Sequence, residues 1–260
     1  MVLKVLRSFF LIINWRTLFA VALSVGSSYF CIHQGIKAEF PFYLISIAIV
    51  FPIVFSIDSA YKRREHALQF YGDLKGHAQS LYFGVRDWVD NRDNGKEAQI
   101  FKKRIDNLFA HISAMFMLPP EEAKAQETAL YHRFSELSRE VSVLKEMGLE
   151  GGEISRLHQY VSKMLISYNI VRNVFFYRTP VTLRAYSKIF IYTFPVLYGP
   201  YAASTYPDYS YGIAYVIAAL YPIILVSLDN LQDHIENPFD QVGEDDIRFE
   251  VKELSESLED

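Results

Sequence analysis

Ile47, Phe51, Phe55 and Asp58 are the residues whose types and spacing suggest chemistry. At about 100° per helical residue, Ile47, Phe51 and Phe55 fall within about 80° of one another. Asp58 returns to within about 20° of Ile47 by the same geometry. Leu44 extends this stripe at one end and Glu65 at the other. Several copies of the stripe, set in a ring, would form a narrow apolar constriction with carboxylates at its inner mouth. An apolar constriction can close by expelling water, and a ring of Asp or Glu favours cations. The plainer reading is that the apolar side chains face lipid and that Asp58 pairs with Lys62 one turn on. Pro52 lies among these residues, removes one backbone hydrogen bond and is expected to kink the helix.

The stripe sits in the second of four apolar runs, residues 17–36, 40–57, 189–206 and 209–228. A helix rises about 1.5 Å per residue, so roughly 20 apolar residues cross the ~30 Å hydrocarbon layer. The expected fold is an all-α membrane protein with four transmembrane helices in two hairpins and a cytosolic helical bundle. The expected divisions are 1–58 (first transmembrane hairpin), 59–186 (cytosolic helical region), 187–228 (second hairpin) and 229–260 (acidic cytosolic tail). Composition agrees with segregation along the chain. Apolar residues make up 51% of the 260, yet the mean hydropathy is only +0.08.

Charge orients the runs. Lys4, Arg7 and Arg16 precede the first, and Lys62, Arg63 and Arg64 follow the second. Arg172, Arg178, Arg184 and Lys188 precede the third. Basic residues mark the cytosolic side, which puts both termini and the middle region there, in a multi-pass protein of a plasma or inner membrane. From Asp229 onward the net charge is −10, leaving +6 for the rest. Basic sequence beside the bilayer with an acidic tail away from it suits a cytosol-facing arrangement. Lys4 and Arg7 resemble the start of a cleaved leader, but Arg16 interrupts the apolar sequence and a leader is not expected. Trp15, Tyr29, Phe30, Phe40, Phe42, Tyr43, Tyr206, Tyr209 and Tyr211 are expected at headgroup depth.

The middle region reads as helices. Pro119 and Pro120 followed by Glu121 and Glu122 mark a helix start, and Gly148 a stop. Gly151 and Gly152 are read as a separator before a further helix. Within it Ile154, Leu157, Val161, Met164, Tyr168, Val171 and Phe175 repeat at three and four. That is heptad spacing, either a bundle core seam or a subunit contact.

Catalytic signatures are missing. The sequence holds no phosphate-cradling glycine loop, no GxSxG elbow and no HExxH, so neither catalytic residues nor an enzyme are expected. No two of the seven histidines share a helix face at metal-ligand spacing. Cys31, the single cysteine, lies in the first apolar run and reads as a small apolar residue. Nucleic acid is disfavoured as a partner because the acidic tail repels phosphate.

Further segments carry a family likeness. Ser56-Ile-Asp-Ser-Ala-Tyr-Lys-Arg64 and Phe70-Tyr-Gly-Asp-Leu74 follow the second run, and Arg178-Thr-Pro-Val181 precedes the third. After the fourth come Ser227-Leu-Asp-Asn-Leu-Gln-Asp-His-Ile-Glu-Asn-Pro-Phe239 and Gly243-Glu-Asp-Asp246. Together with the four-run layout, these resemble the bestrophin family of pentameric ion channels, including its prokaryotic branch. The Ile-Glu-Asn-Pro-Phe segment and its acidic cluster are the most specific part. The resemblance implies a pentamer around one axial pore, with a neck of three apolar residues from the second span. Matching on Tyr61 and Arg63 places Ile47, Phe51 and Phe55 at that neck. Departures are Val54 where a glycine is common, Ser56 and Ile57 where a basic residue or Asn is common, and Pro52 within the neck. The resemblance also implies a remnant of a calcium clasp at Asn237 and Asp245. His234 stands where a Gln ligand is usual and Arg248 where an acid is usual. Calcium takes several hard oxygen ligands, so calcium is not expected and no cofactor or metal is assigned.

The function expected is an ion channel subunit, passing small monovalent ions through an axial pore in a homo-oligomer. Its neck is Ile47, Phe51 and Phe55, and Asp58 is its charge ring. Its partners are membrane lipid, copies of itself and small inorganic ions. The alternatives are a membrane-anchored interaction or scaffold protein without conduction, and a small-solute transporter.

Overall fold

A computed structural model describes residues 13–93, 95–177, 181–206, 210–239 and 246–258. Among these there are eight α-helices and no strand: α1 (Trp15–Gln34), α2 (Phe42–Asp93), α3 (Lys96–Phe116), α4 (Pro120–Val143), α5 (Gly151–Phe176), α6 (Val181–Thr205), α7 (Tyr211–Glu236) and α8 (Val251–Ser257). The chain divides into two compact units, the first ending on α2 at Lys62 and the second starting at Arg63. The first unit also holds α6 and α7. The second holds α3, α4, α5, α8 and Phe239.

Local chemistry sets the bounds of α1. The Asn14 side chain accepts from the Arg16 N–H at 3.0 Å, and the Asn14 N–H donates to Thr17 Oγ1 at 3.3 Å, closing a capping box. Gly35 ends the helix in the left-handed region at φ 66°. Cys31 is buried on this helix as a free thiol.

Small residues bring α1 onto α6. A Cβ on Gly199 would lie 2.3 Å from Ser27 Oγ and 2.7 Å from the Ser27 backbone, so only glycine fits. Phe19 meets Tyr192, Ser27 meets Val196, and Ala38 meets Pro200 and Ser204. This order makes α1 and α6 parallel. Arg16 near the start of α1 pairs with Asp233 near the end of α7 at 3.6 Å, so α7 runs antiparallel to α1.

Three of the helices, α1, α2 and α7, are long and apolar enough to cross a membrane. The helix α6, which carries the third predicted run, is not among them. Its 25 residues include Tyr186, Tyr192, Tyr198 and Tyr201 as well as Pro195 and Pro200, which lower its hydropathy.

The predicted seam on α5 is a core seam of the second unit. Leu157, Val161, Met164, Tyr168, Val171 and Phe175 are all buried, and Ile154 packs beside them. Opposing stripes come from α2 (Tyr71, Leu74, Ala78, Leu81) and α3 (Phe101, Ile105, Ile112, Phe116). Burial pushes the pKa of the Tyr168 phenol up, and its hydroxyl donates to Met115 Sδ.

One expectation is corrected. Gly151 and Gly152 do not separate helices; they form the first turn of α5, because the Glu150 N–H bonds the Glu153 carboxylate at 3.4 Å and starts the helix there. Phe42 is buried and stacks on Phe194 and Tyr201 at 4.5 and 4.6 Å. The acidic segment contributes to the second unit. Its Phe239, Ile247, Phe249, Leu254 and Leu258 are buried in the core of the second unit. There Phe116 stacks on Phe239 at 5.0 Å and on Phe249 at 5.3 Å.

Candidate pore-lining face

The first unit gives α2 two faces. Ile49, Ile53, Ser56 and Ala60 recur at three and four and are buried. At about 100° per residue they centre roughly opposite the stripe that carries Ile47, Phe51 and Phe55. That stripe is turned out of the core, with Ile47 52%, Phe51 57% and Phe55 61% exposed. The rings of Phe51 and Phe55 lie 5.5 Å apart, one turn from each other. The structure thus brings the three predicted neck residues onto one outward face.

What fixes that face is the anchoring of its reverse side. Phe42, at the start of α2, packs edge-on against Tyr198 and Tyr221 as well as stacking on Phe194 and Tyr201. Aromatic pairs of this kind add about 0.5–1.5 kcal/mol each beyond area burial. Ser46 Oγ donates to the Phe42 carbonyl at 2.8 Å and lies 3.2 Å from Tyr221 Oη. Ile49 and Ile53 continue this contact into the core. Pro52 is accommodated inside α2 and the helix continues past it.

Asp58 is exposed, and its carboxylate accepts from Lys62 Nζ at 2.6 Å. The pairing read from the sequence is therefore made. Glu65 is exposed and paired with Arg64. Arg63, from the Ala-Tyr-Lys-Arg segment, has a different task. Its guanidinium donates to the Val174 carbonyl at 2.8 Å and to the Tyr177 carbonyl, closing the C-terminal end of α5.

Other helices of the first unit also turn apolar side chains outward. On α7 these are Ile213, Val216, Leu220 and Ile224; on α1 they include Leu18 and Phe19. The α7 stripe carries no charged residue, as a lipid-facing surface requires. The α2 stripe differs in that it runs into a carboxylate.

Asn237 follows α7 as its C-cap and is half-buried. Asp245 lies outside the described residues, as do Arg178, Thr179, Pro180 and Tyr209. Arg248 is exposed. Among the described residues no group of three or more His, Cys, Asp or Glu is placed to hold a metal ion. Sequence reasoning missed one polar feature. Gln232 on α7 is fully buried, with no hydrogen-bond partner for either amide atom among the described residues. Its spacing gives no signal, since it sits between Asp229 and Asp233 in an acidic stretch.

No family model and no curated protein matches the sequence. Solved structures do match. A bacterial bestrophin homologue from Klebsiella pneumoniae is similar at a TM-score of 0.76 and 17% identity, over 94% of this chain and 96% of that one. A single-substitution variant of a bestrophin homologue from the same organism is similar at 0.75 and 17%, over 93% and 97%. A structure described as a membrane protein matches at 0.76 and 15%, over 94% and 98%. Along nearly its whole length, the chain has the fold of the bacterial bestrophin homologues.

Proposed function

We propose that this chain is the subunit of an ion channel, a homo-oligomer whose axial pore is lined by the outward face of α2. The observation that carries the reading is that face: Ile47, Phe51 and Phe55 exposed together, on a helix whose reverse side is anchored in the core. A side chain held by a rigid scaffold can define a constriction; a loosely held one cannot. The fold shared with bestrophin homologues supports the same reading and, by that resemblance, a pentamer. Asp58 stands one turn beyond Phe55 and is the proposed charge ring, biasing the pore toward small monovalent cations. Its pairing with Lys62 moderates that bias. The four apolar runs cross the membrane as two hairpins, with the termini and the helical bundle on the cytosolic side.

The test is ion flux from the purified protein in liposomes, with and without Phe51→Ala. Trimming the neck raises flux if the face lines a pore. A protein that passes no ions in either form is a membrane-anchored scaffold instead. Mass measurement of the solubilised complex checks the subunit number independently.

A further inference from the structure

In the second unit, α4 and α5 run antiparallel with a polar stripe on each. Tyr131, Ser135, Ser138 and Ser142 recur at four, three and four on α4. On α5 the polar residues His158, Ser162 and Asn169 fall on one face, with Leu165 among them. The two stripes are bridged at both ends. Tyr131 Oη donates to Asn169 Oδ1 at 2.7 Å at one end. At the other, the His158 ring nitrogens lie 3.4 Å from Ser138 Oγ and 3.4 Å from Ser142 Oγ. Between the bridges the helices leave a cavity of about 320 Å³, which Ser135, Ser162, His158 and Arg139 line. Phe134, Val161 and Leu165 supply its apolar wall.

Charge in this cavity is one-sided. Glu136 and Glu140, the acids of α4 nearest Arg139, are held on α3 by Arg104 at 3.0 and 2.9 Å. Glu127 is held by Arg172. Arg139 has no ion pair or hydrogen bond among the described residues, and neither do the hydroxyls of Ser135 and Ser162. An exposed guanidinium without a carboxylate and two exposed hydroxyls thus share one cleft with an apolar wall. An oxyanion can take several of these converging donors at once, and a guanidinium fork suits a phosphate. The apolar wall suits a small organic body attached to it.

We propose that the cleft between α4 and α5 binds a small phosphate monoester, its phosphoryl group on Arg139, Ser135 and Ser162 and its apolar part against Phe134 and Leu165, with the His158 bridge closing one end. The inference is independent of conduction, since it concerns residues of the second unit alone.

Phenyl phosphate is the probe, titrated calorimetrically into the full-length protein in detergent, with inorganic phosphate and phenol as comparisons. The expected result is saturable binding of phenyl phosphate, tighter than either comparison. Arg139→Gln weakens it by about tenfold or more, the usual loss for a charge-assisted contact. Arg139→Lys keeps the charge without the fork and falls between the two. An unchanged thermal midpoint for Arg139→Gln shows that the fold is intact. Ser135→Ala with Ser162→Ala weakens phenyl phosphate without affecting phenol. Displacement of the probe by phosphatidic acid vesicles assigns the monoester to a lipid headgroup, and lack of displacement assigns it to a soluble metabolite. Binding that Arg139→Gln leaves intact, or titrations in which the unaltered protein does not saturate, overturn the proposal.

Discussion

The Ser27 hydroxyl donates to the Val196 carbonyl at 2.8 Å, and Val196 is the residue four before Pro200. Proline has no N–H, so an α-helix containing Pro200 leaves that carbonyl without its partner. A side chain from α1 supplies the missing donor, and Gly199 allows α1 to come close enough to do so.

Gly199→Ala is therefore expected to damage the first unit more than Ser27→Ala does. The serine change removes one interhelical bond, worth about 1 kcal/mol or less in membrane proteins. The glycine change forces a Cβ into the Ser27 backbone. Thermal unfolding in detergent ranks the two. The pair together should melt no higher than Gly199→Ala alone, because the clash with backbone atoms remains when the hydroxyl is gone.

Phe51→Ala removes a ring from the proposed neck and touches little of the core, since the side chain is exposed. Flux from liposomes should rise several-fold while the melting temperature stays within a degree or two of the original. A fall in flux at unchanged stability would contradict the pore assignment of this face.

Reversal potentials in asymmetric salt address Asp58. Asp58→Asn should lower the cation-to-anion permeability ratio, and Lys62→Met should raise it, because Lys62 offsets the carboxylate in their 2.6 Å pair. The pair is solvent-exposed and contributes little to stability, so both variants should fold normally. Equal ratios in all three proteins remove Asp58 from selectivity.

Phe239→Ala should destabilise the second unit by about 3–5 kcal/mol, the cost of emptying a buried aromatic site. The ring is buried in a cluster with Phe116 and Phe249, and Phe175 packs against it in a T-shaped contact. Trp88 packs against the same core, so its fluorescence in a Trp15→Phe background reports the denaturation midpoint.

Arg63→Gln should lower the stability of the same unit by a smaller amount, about 1 kcal/mol, because one of the two acceptors is half-buried and the other exposed. The carbonyls of Val174 and Tyr177 lose their guanidinium donor. Hydrogen exchange at the last turn of α5 should accelerate in this variant ahead of the rest of the helix.

Periodicity made much of this fold legible before any coordinates. The α5 seam needed only its threes and fours, because a bundle helix must bury one stripe. The start of α4 was written in Pro119, Pro120 and the acids after them, and α4 does begin at Pro120. The outward stripe on α2 was also readable, as an angular relation among three side chains. Other features depend on partners far along the chain, which local pattern does not encode. The packing of Phe42 is one, since nothing nearby in the sequence announces Phe194, Tyr201 and Tyr221. The role of Arg63 depends on a helix end more than 100 residues away. In the acidic segment, net charge concealed Ile247, Phe249, Leu254 and Leu258, which are spaced for insertion but outnumbered by carboxylates. The cleft beside Arg139 was invisible for the same reason, since serine spacing on two helices acquires meaning only once they are side by side.

Phe239, Phe249 and Leu258 close a core begun by helices made much earlier in synthesis. Every residue of α6 and α7 leaves the ribosome before those closing side chains do. Until then Phe116 and Phe175 lack the cover that Phe239 and Phe249 supply, and a chain cut short before residue 239 leaves that side of the core open. Such a surface is what chaperones hold and proteases find. The order of the sequence thus makes completion of the second unit's core wait for synthesis of α6 and α7, and a truncated product exposes its own defect.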